Sequence, residues 1–286
     1  MTSAFLFPGQ GSQSVGMLGE LATQQPLVRE TFDEASAVLG YDLWQLASEG
    51  PAERLALTEI TQPIMLVAGV ATWRVWCAAS GARPTWVAGH SLGEFTALVA
   101  AGVLEYRDAV ALVRFRGEVM RDAVPNGAGG MAAVLGLSDA DIEAACAEAA
   151  QGEVAEAVNF NAPGQVVIAG HATALARAIE TAKARGAKRI LPLQVSIAAH
   201  SSLMQGAADA FRAFLDQTTF HTPRLPVIGN VQADILQTEL SQHWLQLYTQ
   251  LFRLISGDGL LNFLLLLYFS LFKCFRSDGL LDSVQI

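Results

Sequence analysis

Cysteine is scarce in this chain. Three occur in 286 residues, Cys77, Cys146 and Cys274, and no two stand at a Cys-x-x-Cys spacing. Neither a zinc site nor a disulfide framework is expected, and the pattern fits a reducing, cytoplasmic compartment. Basic charge is also short: 18 Lys and Arg against 27 Asp and Glu give a net charge of −9, which argues against a nucleic-acid binder. Charged residues make up only 16% and hydrophobic ones 52%, which excludes a disordered chain and leaves enough apolar mass for a full core. Residues 1–11 carry neither a basic n-region nor a long apolar h-region, so no secretory leader is expected there. The apolar run at 260–272, interrupted only by Asn262 and Ser270, is shorter than the ~20 residues that span a bilayer, so no membrane anchor is expected.

What the chain does have is centred on Trp86-Val87-Ala88-Gly89-His90-Ser91-Leu92-Gly93-Glu94-Phe95. Residues 85–88 read as a strand after the turn signal Gly81-Ala82-Arg83-Pro84. Residues 92–101 carry apolar side chains at helical spacing, with Gly102 where a helix C′ residue belongs. Between them Gly89-His90-Ser91-Leu92-Gly93 fits the G-x-S-x-G nucleophile elbow. Glycines two residues either side of Ser91 remove side chains that a tight strand-to-helix turn would crush. The turn presents the hydroxyl at a helix N-terminus, where free N–H groups favour developing negative charge. Such a pattern is short enough to arise by accident, and the flanking strand and helix give it its weight.

Ahead of the elbow, Ala4-Phe5-Leu6-Phe7 reads as a buried strand running into Pro8-Gly9-Gln10-Gly11-Ser12-Gln13, which lacks the Gly-Lys-Ser/Thr ending of a phosphate loop. Helices are predicted over 26–39 and 42–48, and a long apolar helix over 63–79 with Pro63 in its first turn. A helix over 106–124 carries Arg114, Arg116 and Arg121; Arg116 matters only if it points into a cleft beside Ser91. Residues 126–130, Asn-Gly-Ala-Gly-Gly, read as a hinge-like linker. Beyond it the predicted units are a strand (131–137), a helix capped by Ser138 (to 150), strands at 154–159 and 165–169 with 160–164 as the loop between them, a helix (172–185) and a strand (189–193). That βαββαβ order is the ferredoxin-like motif. A helix reaches about 215, and 226–230 reads as another strand. Of the five histidines, His200, C-terminal to a strand and before a helix of small residues, is the candidate base. His90 lies within the elbow.

Taken together, Phe7-Pro8-Gly9-Gln10-Gly11-Ser12-Gln13, Tyr41-Asp42-Leu43-Trp44, Thr61-Gln62-Pro63, Gly89-His90-Ser91-Leu92-Gly93-Glu94, Arg116-Gly117, Val158-Asn159-Phe160-Asn161, Pro163-Gly164-Gln165-Val166-Val167-Ile168-Ala169-Gly170 and Gly186-Ala187-Lys188-Arg189 closely resemble the malonyl-CoA:acyl carrier protein transacylases of bacterial type II fatty-acid synthesis. The resemblance implies an α/β chain: a large α/β-hydrolase-like domain with a parallel sheet core (1–125 plus 197–252) and an inserted ferredoxin-like small domain (126–196). It implies Ser91 as nucleophile, His200 as base, Gln250 orienting the histidine, and the Gln10 and Leu92 amides as oxyanion hole. It also implies Arg116 as the partner of the malonyl carboxylate, with His90 and Asn159 in the substrate site. A planar guanidinium can hold a carboxylate through two parallel hydrogen bonds. The implied substrates are malonyl-CoA and acyl carrier protein, with no metal or other cofactor, and the implied state is a monomer. Lys183, Arg185, Lys188 and Arg189 form a basic cluster, either a solubilising helix end or a docking patch for the acidic carrier protein.

After Phe252 the resemblance stops. Arg253-Leu254-Ile255-Ser256-Gly257-Asp258-Gly259-Leu260-Leu261-Asn262 can be back-translated so that a one-nucleotide shift reads Ser-Pro-Asp-Gln-Trp-Arg-Arg-Val-Val-Glu, which is family-like. Residues 253–286 are therefore expected to be a frameshifted tail. Two alternatives stand beside the transacylase reading: a serine hydrolase or thioesterase sharing the elbow, and an inactive product of the altered tail. A hydrolase of neutral esters has no use for a cation at Arg116, which separates the first of these.

Overall fold

The computed structural model describes residues 3–80, 82–193, 195 and 197–230. Gln250 and the 253–286 tail lie outside the described residues. The first sheet is small and parallel. Strand β1 (Ala4–Phe7) pairs with β2 (Trp86–Gly89) from Ala4↔Trp86 to Phe7↔Gly89, and β2 pairs on its other side with β7 (Val227–Ile228). Parallel neighbours need a long crossover. Between β1 and β2 the chain supplies α1 (Gly19–Gln24), α2 (Pro26–Leu39), α3 (Leu43–Glu49), α4 (Ala52–Leu55) and α5 (Thr58–Ser80). The sequence reading contains neither α1 nor α4.

Helix α5 is apolar on nearly all sides and runs through the core, with Ile64, Leu66, Val67 and Ala71 fully buried. This is how a helix sandwiched between layers reads. It packs against α6 (Leu92–Ala100) and α7 (Tyr106–Asp122). The structure corrects the expected start at Pro63, because α5 begins at Thr58 and Pro63 lies inside it. Proline there removes the N–H that would bond to the Glu59 carbonyl. The turn before it is held from outside the helix instead: the Ile60 and Thr61 amides and the Thr61 hydroxyl all donate to the Leu57 carbonyl, at 2.9, 2.7 and 3.0 Å.

The second sheet is antiparallel, in the order β4-β5-β3-β6, built from β3 (Gly129–Leu135), β4 (Ala155–Ala162), β5 (Gln165–His171) and β6 (Arg189–Pro192). Helices α8 (Asp139–Ala150) and α9 (Ala172–Ala184) cover it with their own apolar cluster of Ile142, Cys146, Ala178 and Ala182 against Val134, Val166 and Ile168. Ser138 caps α8 by accepting from the Asp141 amide. The order and directions are those of the ferredoxin-like motif read from the sequence. Several boundaries differ, two of them near the site. Gly129 and Gly130 belong to β3 rather than to a linker, and a Cβ on Gly129 would stand 3.3 Å from that of Ala198, so small residues admit the segment leading to His200. Residues 160–162 belong to β4 rather than to a loop; bulges between Ala157 and Asn159 and between Phe160 and Ala162 carry the strand to the Pro163-Gly164 turn. The chain returns through a 3₁₀ turn (Ser202–Met204) and α10 (Gln205–Leu215), whose Phe211 packs on Phe95 of α6. Among the described residues no helix is long and apolar enough to cross a membrane.

Candidate functional site

The site grows from the end of β2. Ser91 has φ 49° and ψ −106°, a conformation that costs free energy for any residue with a side chain and that functional sites retain when their surroundings enforce it. The surroundings here are crowded backbone. A Cβ on Gly89 would lie 2.0 Å from the Gly93 carbonyl, and one on Gly93 would lie 2.1 Å from the Phe7 carbonyl oxygen. Both glycines of the elbow are thus required by contact. Helix α6 starts at Leu92 directly after the serine, so the Ser91 side chain stands at its N-terminus.

The loop after β1 closes over this turn. His90 donates its amide to the Phe7 carbonyl at 3.1 Å, and a Cβ on Gly9 would stand 2.7 Å from the His90 carbonyl oxygen. The loop is fastened on its far side by the Thr58 hydroxyl, which donates to Gln10 Oε1 at 2.7 Å. Among the described residues, neither the Gln10 nor the Leu92 amide has a recorded acceptor.

Two charged or titratable groups meet at Ser91. Its Oγ lies 3.0 Å from His200 Nε2, and Arg116 Nη2 donates to the same Oγ at 3.1 Å. Arg116 is 1% exposed. Its Nη1 donates to Gln62 Oε1 at 2.7 Å, and its guanidinium sits 5.6 Å from the Phe95 ring centroid. The helix that carries it reaches this depth because of the next residue: a Cβ on Gly117 would lie 2.6 Å from Glu59 Cα, so α7 rests directly on the backbone at the start of α5. His200 has φ 65° and is buried with Ala198 and Ser201.

His90 precedes the serine, and Asn161 of β4 bonds its imidazole. Desolvation holds the His90 imidazole below its ordinary pKa, a hydrogen bond with Asn161 opposes the shift, and the nearby Arg116 cation adds to it. His90 is therefore neutral at physiological pH. Asn159, two residues before Asn161 on β4, is buried, and its Oδ1 has no hydrogen-bond partner among the described residues; a buried acceptor left open is a place for a ligand donor. The structure thus brings Gln10, His90, Ser91, Leu92, Arg116 and His200 to one locality, and a hydrogen bond between His90 and Asn161 brings β4, the strand that carries Asn159, alongside them. The expected Gln250 lies outside the described residues. Among the described residues no group of three or more His, Cys, Asp or Glu could hold a metal ion.

Three residues at the site are given no role by the sequence. Gln62 anchors Arg116. Glu94 is buried at 3% exposure under the elbow, and Asn230 joins it there. Asn230 had a readable signal, since it follows the C-terminal end of a parallel strand, where open α/β sheets place their sites. Glu94 stood in the elbow motif with nothing to mark it as buried: an acidic residue in a first helical turn is ordinarily a solvated partner of the helix dipole.

Comparison with known proteins agrees with this geometry. Residues 4–248 match the acyl transferase domain family. The chain is 58% identical over 228 residues to the malonyl CoA-acyl carrier protein transacylase of Salmonella typhimurium, covering 80% of this chain and 74% of the relative, and 46% identical over 234 residues to that of Bacillus subtilis, covering 82% and 74%. Among solved structures, an acyl carrier protein S-malonyltransferase from Vibrio cholerae is 49% identical with a TM-score of 0.84, covering 89% of this chain and 82% of that one. A malonyl-transacylase solved in complex with its type II polyketide synthase acyl-carrier protein is 48% identical with a TM-score of 0.86, over the same two shares. On these matches, and on an elbow whose glycines, serine, histidine and arginine converge, the chain belongs to the malonyl CoA-acyl carrier protein transacylases of the acyl transferase domain family.

Proposed function

We propose that the chain transfers the malonyl group from malonyl-CoA to the phosphopantetheine thiol of acyl carrier protein, supplying fatty-acid synthesis. The observation that carries this reading is the buried Arg116 on the nucleophile itself, 3.1 Å from Ser91 Oγ and opposite His200 Nε2 at 3.0 Å. His200 takes the Ser91 proton as Oγ attacks the thioester carbon. The oxyanion that forms is held by the Gln10 and Leu92 amides, each such donor typically worth about 3 kcal/mol. The C–S bond breaks, coenzyme A leaves as a thiol with the proton from His200, and a malonyl-serine ester remains. The carrier-protein thiol then attacks that ester with His200 again as base, and Ser91 recovers its proton. Two half-reactions through one covalent intermediate make a ping-pong scheme.

Arg116 selects the acyl group. With malonate present, its guanidinium turns from Ser91 Oγ to the free carboxylate in a two-bonded fork, keeping Gln62 as its anchor. An acetyl group leaves this buried cation without a counter-charge. A hydrolase of neutral esters gains nothing from such a cation, which favours transfer of a diacid thioester. Asn159 and the neutral His90 line the acyl end of the cleft. The scheme needs no metal and no cofactor beyond its two substrates, and we place it in the cytoplasm as a monomer. Of the basic cluster, Lys183 already pairs with Glu180 and Arg185 with Glu148, so Lys188 and Arg189 are the stronger candidates for contact with an acidic carrier protein. The boundaries 1–125 plus 197–252 and 126–196 suit this division of labour, with β4 lending Asn159 to the site.

Intact-mass measurement after brief incubation with malonyl-CoA tests the reading, with peptide mapping and an acetyl-CoA control. A malonyl adduct on Ser91 that acetyl-CoA does not give is the expected result. Arg116→Ala should lower malonyl transfer by about 100-fold or more while narrowing the malonyl-to-acetyl preference. A variant that keeps both rate and preference overturns the assignment of Arg116.

A further inference from the structure

The elbow is held from below by two side chains that take no part in the chemistry proposed above. The Ser91 amide donates to Asn230 Oδ1 at 2.8 Å. The Asn230 amide nitrogen donates to the Gly89 carbonyl at 2.6 Å and to Glu94 Oε2 at 2.6 Å. The orientation of this amide follows from its partners. A backbone N–H can only donate and a backbone carbonyl can only accept, so the oxygen faces Ser91 and the nitrogen faces Gly89. Asn230 therefore grips the strand before the serine, the serine itself and the first turn of α6 after it. It does so from residue 230, just beyond β7, across 139 residues of sequence from Ser91.

These three contacts meet at the strained point of the backbone. Ser91 at φ 49° and ψ −106° would relax toward an ordinary conformation if its amide were released, and its Oγ would then turn away from His200. Glu94 serves the same end at one remove. Its carboxyl is buried on the first turn of α6 and receives the Asn230 amide, which fixes the side chain whose other atoms hold the turn. Buried polar groups with every contact filled define one geometry and lose it when one member is removed.

We propose that Asn230, oriented by Glu94, is a positioning residue that keeps Ser91 in its strained, reactive conformation. This rests on the transacylase reading only for its kinetic readout. Asn230→Ala should lower the rate of malonyl-serine formation by about 100-fold, as expected when a nucleophile is displaced by about 1 Å, with KM for malonyl-CoA within twofold of the parent. Hydrogen exchange at the Ser91 amide, followed on the peptide covering the elbow, should lose its protection while the rest of α6 keeps its own. Glu94→Ala should share the slowing, and Glu94→Gln, which keeps an acceptor for Asn230, should restore the rate. A chain with Asn230→Ala that acylates within twofold of the parent and keeps the Ser91 amide protected overturns the proposal. If that variant does not melt cooperatively, the Glu94 pair decides: Ala slow with Gln restored supports it, and any other pairing overturns it. Should the parent chain form no malonyl-serine, the function reading fails, and amide exchange in the same variants still decides the clamp.

Discussion

Glu94 is a carboxyl in a place without water. Burial pushes its pKa from an ordinary 4.5 up to about 8, against the opposing pull of the Asn230 hydrogen bonds and the Arg116 cation. A raised folded-state pKa means that the native protein holds a proton which the unfolded chain releases. The stabilisation this gives is complete below about pH 4.5 and is lost as the pH rises through about 8. Thermal melts of the parent and of Glu94→Gln, taken at intervals across that window, should therefore diverge. The parent should lose melting temperature toward alkaline pH relative to the variant, whose amide cannot ionise. Parallel curves would show that Glu94 exchanges no proton on unfolding. A carboxyl that is neutral at working pH also leaves Arg116 as the dominant charge beside Ser91, as the role proposed for Arg116 requires.

At the scale of elements, the depth of α7 against α5 sets where that guanidinium lies. Gly117 is the contact point, and a methyl there would meet the Glu59 backbone at 2.6 Å and the Thr58 carbonyl oxygen at 2.9 Å. Neither neighbour is a flexible side-chain end, so Gly117→Ala must push the helices apart. Arg116, one residue away, would withdraw from Gln62 and Ser91. Steady-state kinetics should show a raised KM for malonyl-CoA and a reduced malonyl-to-acetyl ratio, and the melting temperature should fall by several degrees, as for an overpacked core. Unchanged selectivity would separate α7 packing from Arg116 placement. Most elements were legible in the sequence because amphipathic spacing and caps are local: Ser138 before α8, Asp42 before α3 and Gly102 after α6 each mark an end with a single residue. The misplaced boundaries have non-local causes. Thr58 to Gln62 lie under α7, whose Gly117 rests on the Thr58–Glu59 backbone and whose Arg116 bonds Gln62, and Phe160 to Ala162 are strand because β5 pairs with them through two bulges. The site divides the same way. Ser91 and Arg116 stand in recognisable motifs and His200 at a readable strand end, whereas Glu94 and Asn230 gain their meaning only from each other.

For the molecule as a whole, the two sheets must act as one, since Ser91 hangs from the parallel sheet while Asn161, which bonds His90, comes from the antiparallel one. Their junction runs close to the base. Glu156 on β4 accepts from the Ser202 amide at Oε2 and from the Ser202 hydroxyl at Oε1, both at 2.7 Å, two residues beyond His200. Close backbone packing of Gly129 on Ala198 braces the segment on its other side. Glu156 is partly exposed, so losing its paired bonds should cost no more than about 1–2 kcal/mol, a fall of a few degrees in melting temperature. The functional effect should be larger in kind than in size. With its latch gone, the His200 segment can shift while Arg116 and Gln62 stay fixed on α7 and α5. Glu156→Ala should therefore lower the rate of acylation several-fold and leave the preference for malonyl over acetyl intact, the reverse of the outcome expected for Gly117→Ala. Measuring acylation rates with both thioesters in both variants distinguishes the two supports of the site. Equal loss of selectivity in the two would mean that the histidine and the arginine are not carried by separate parts of the fold.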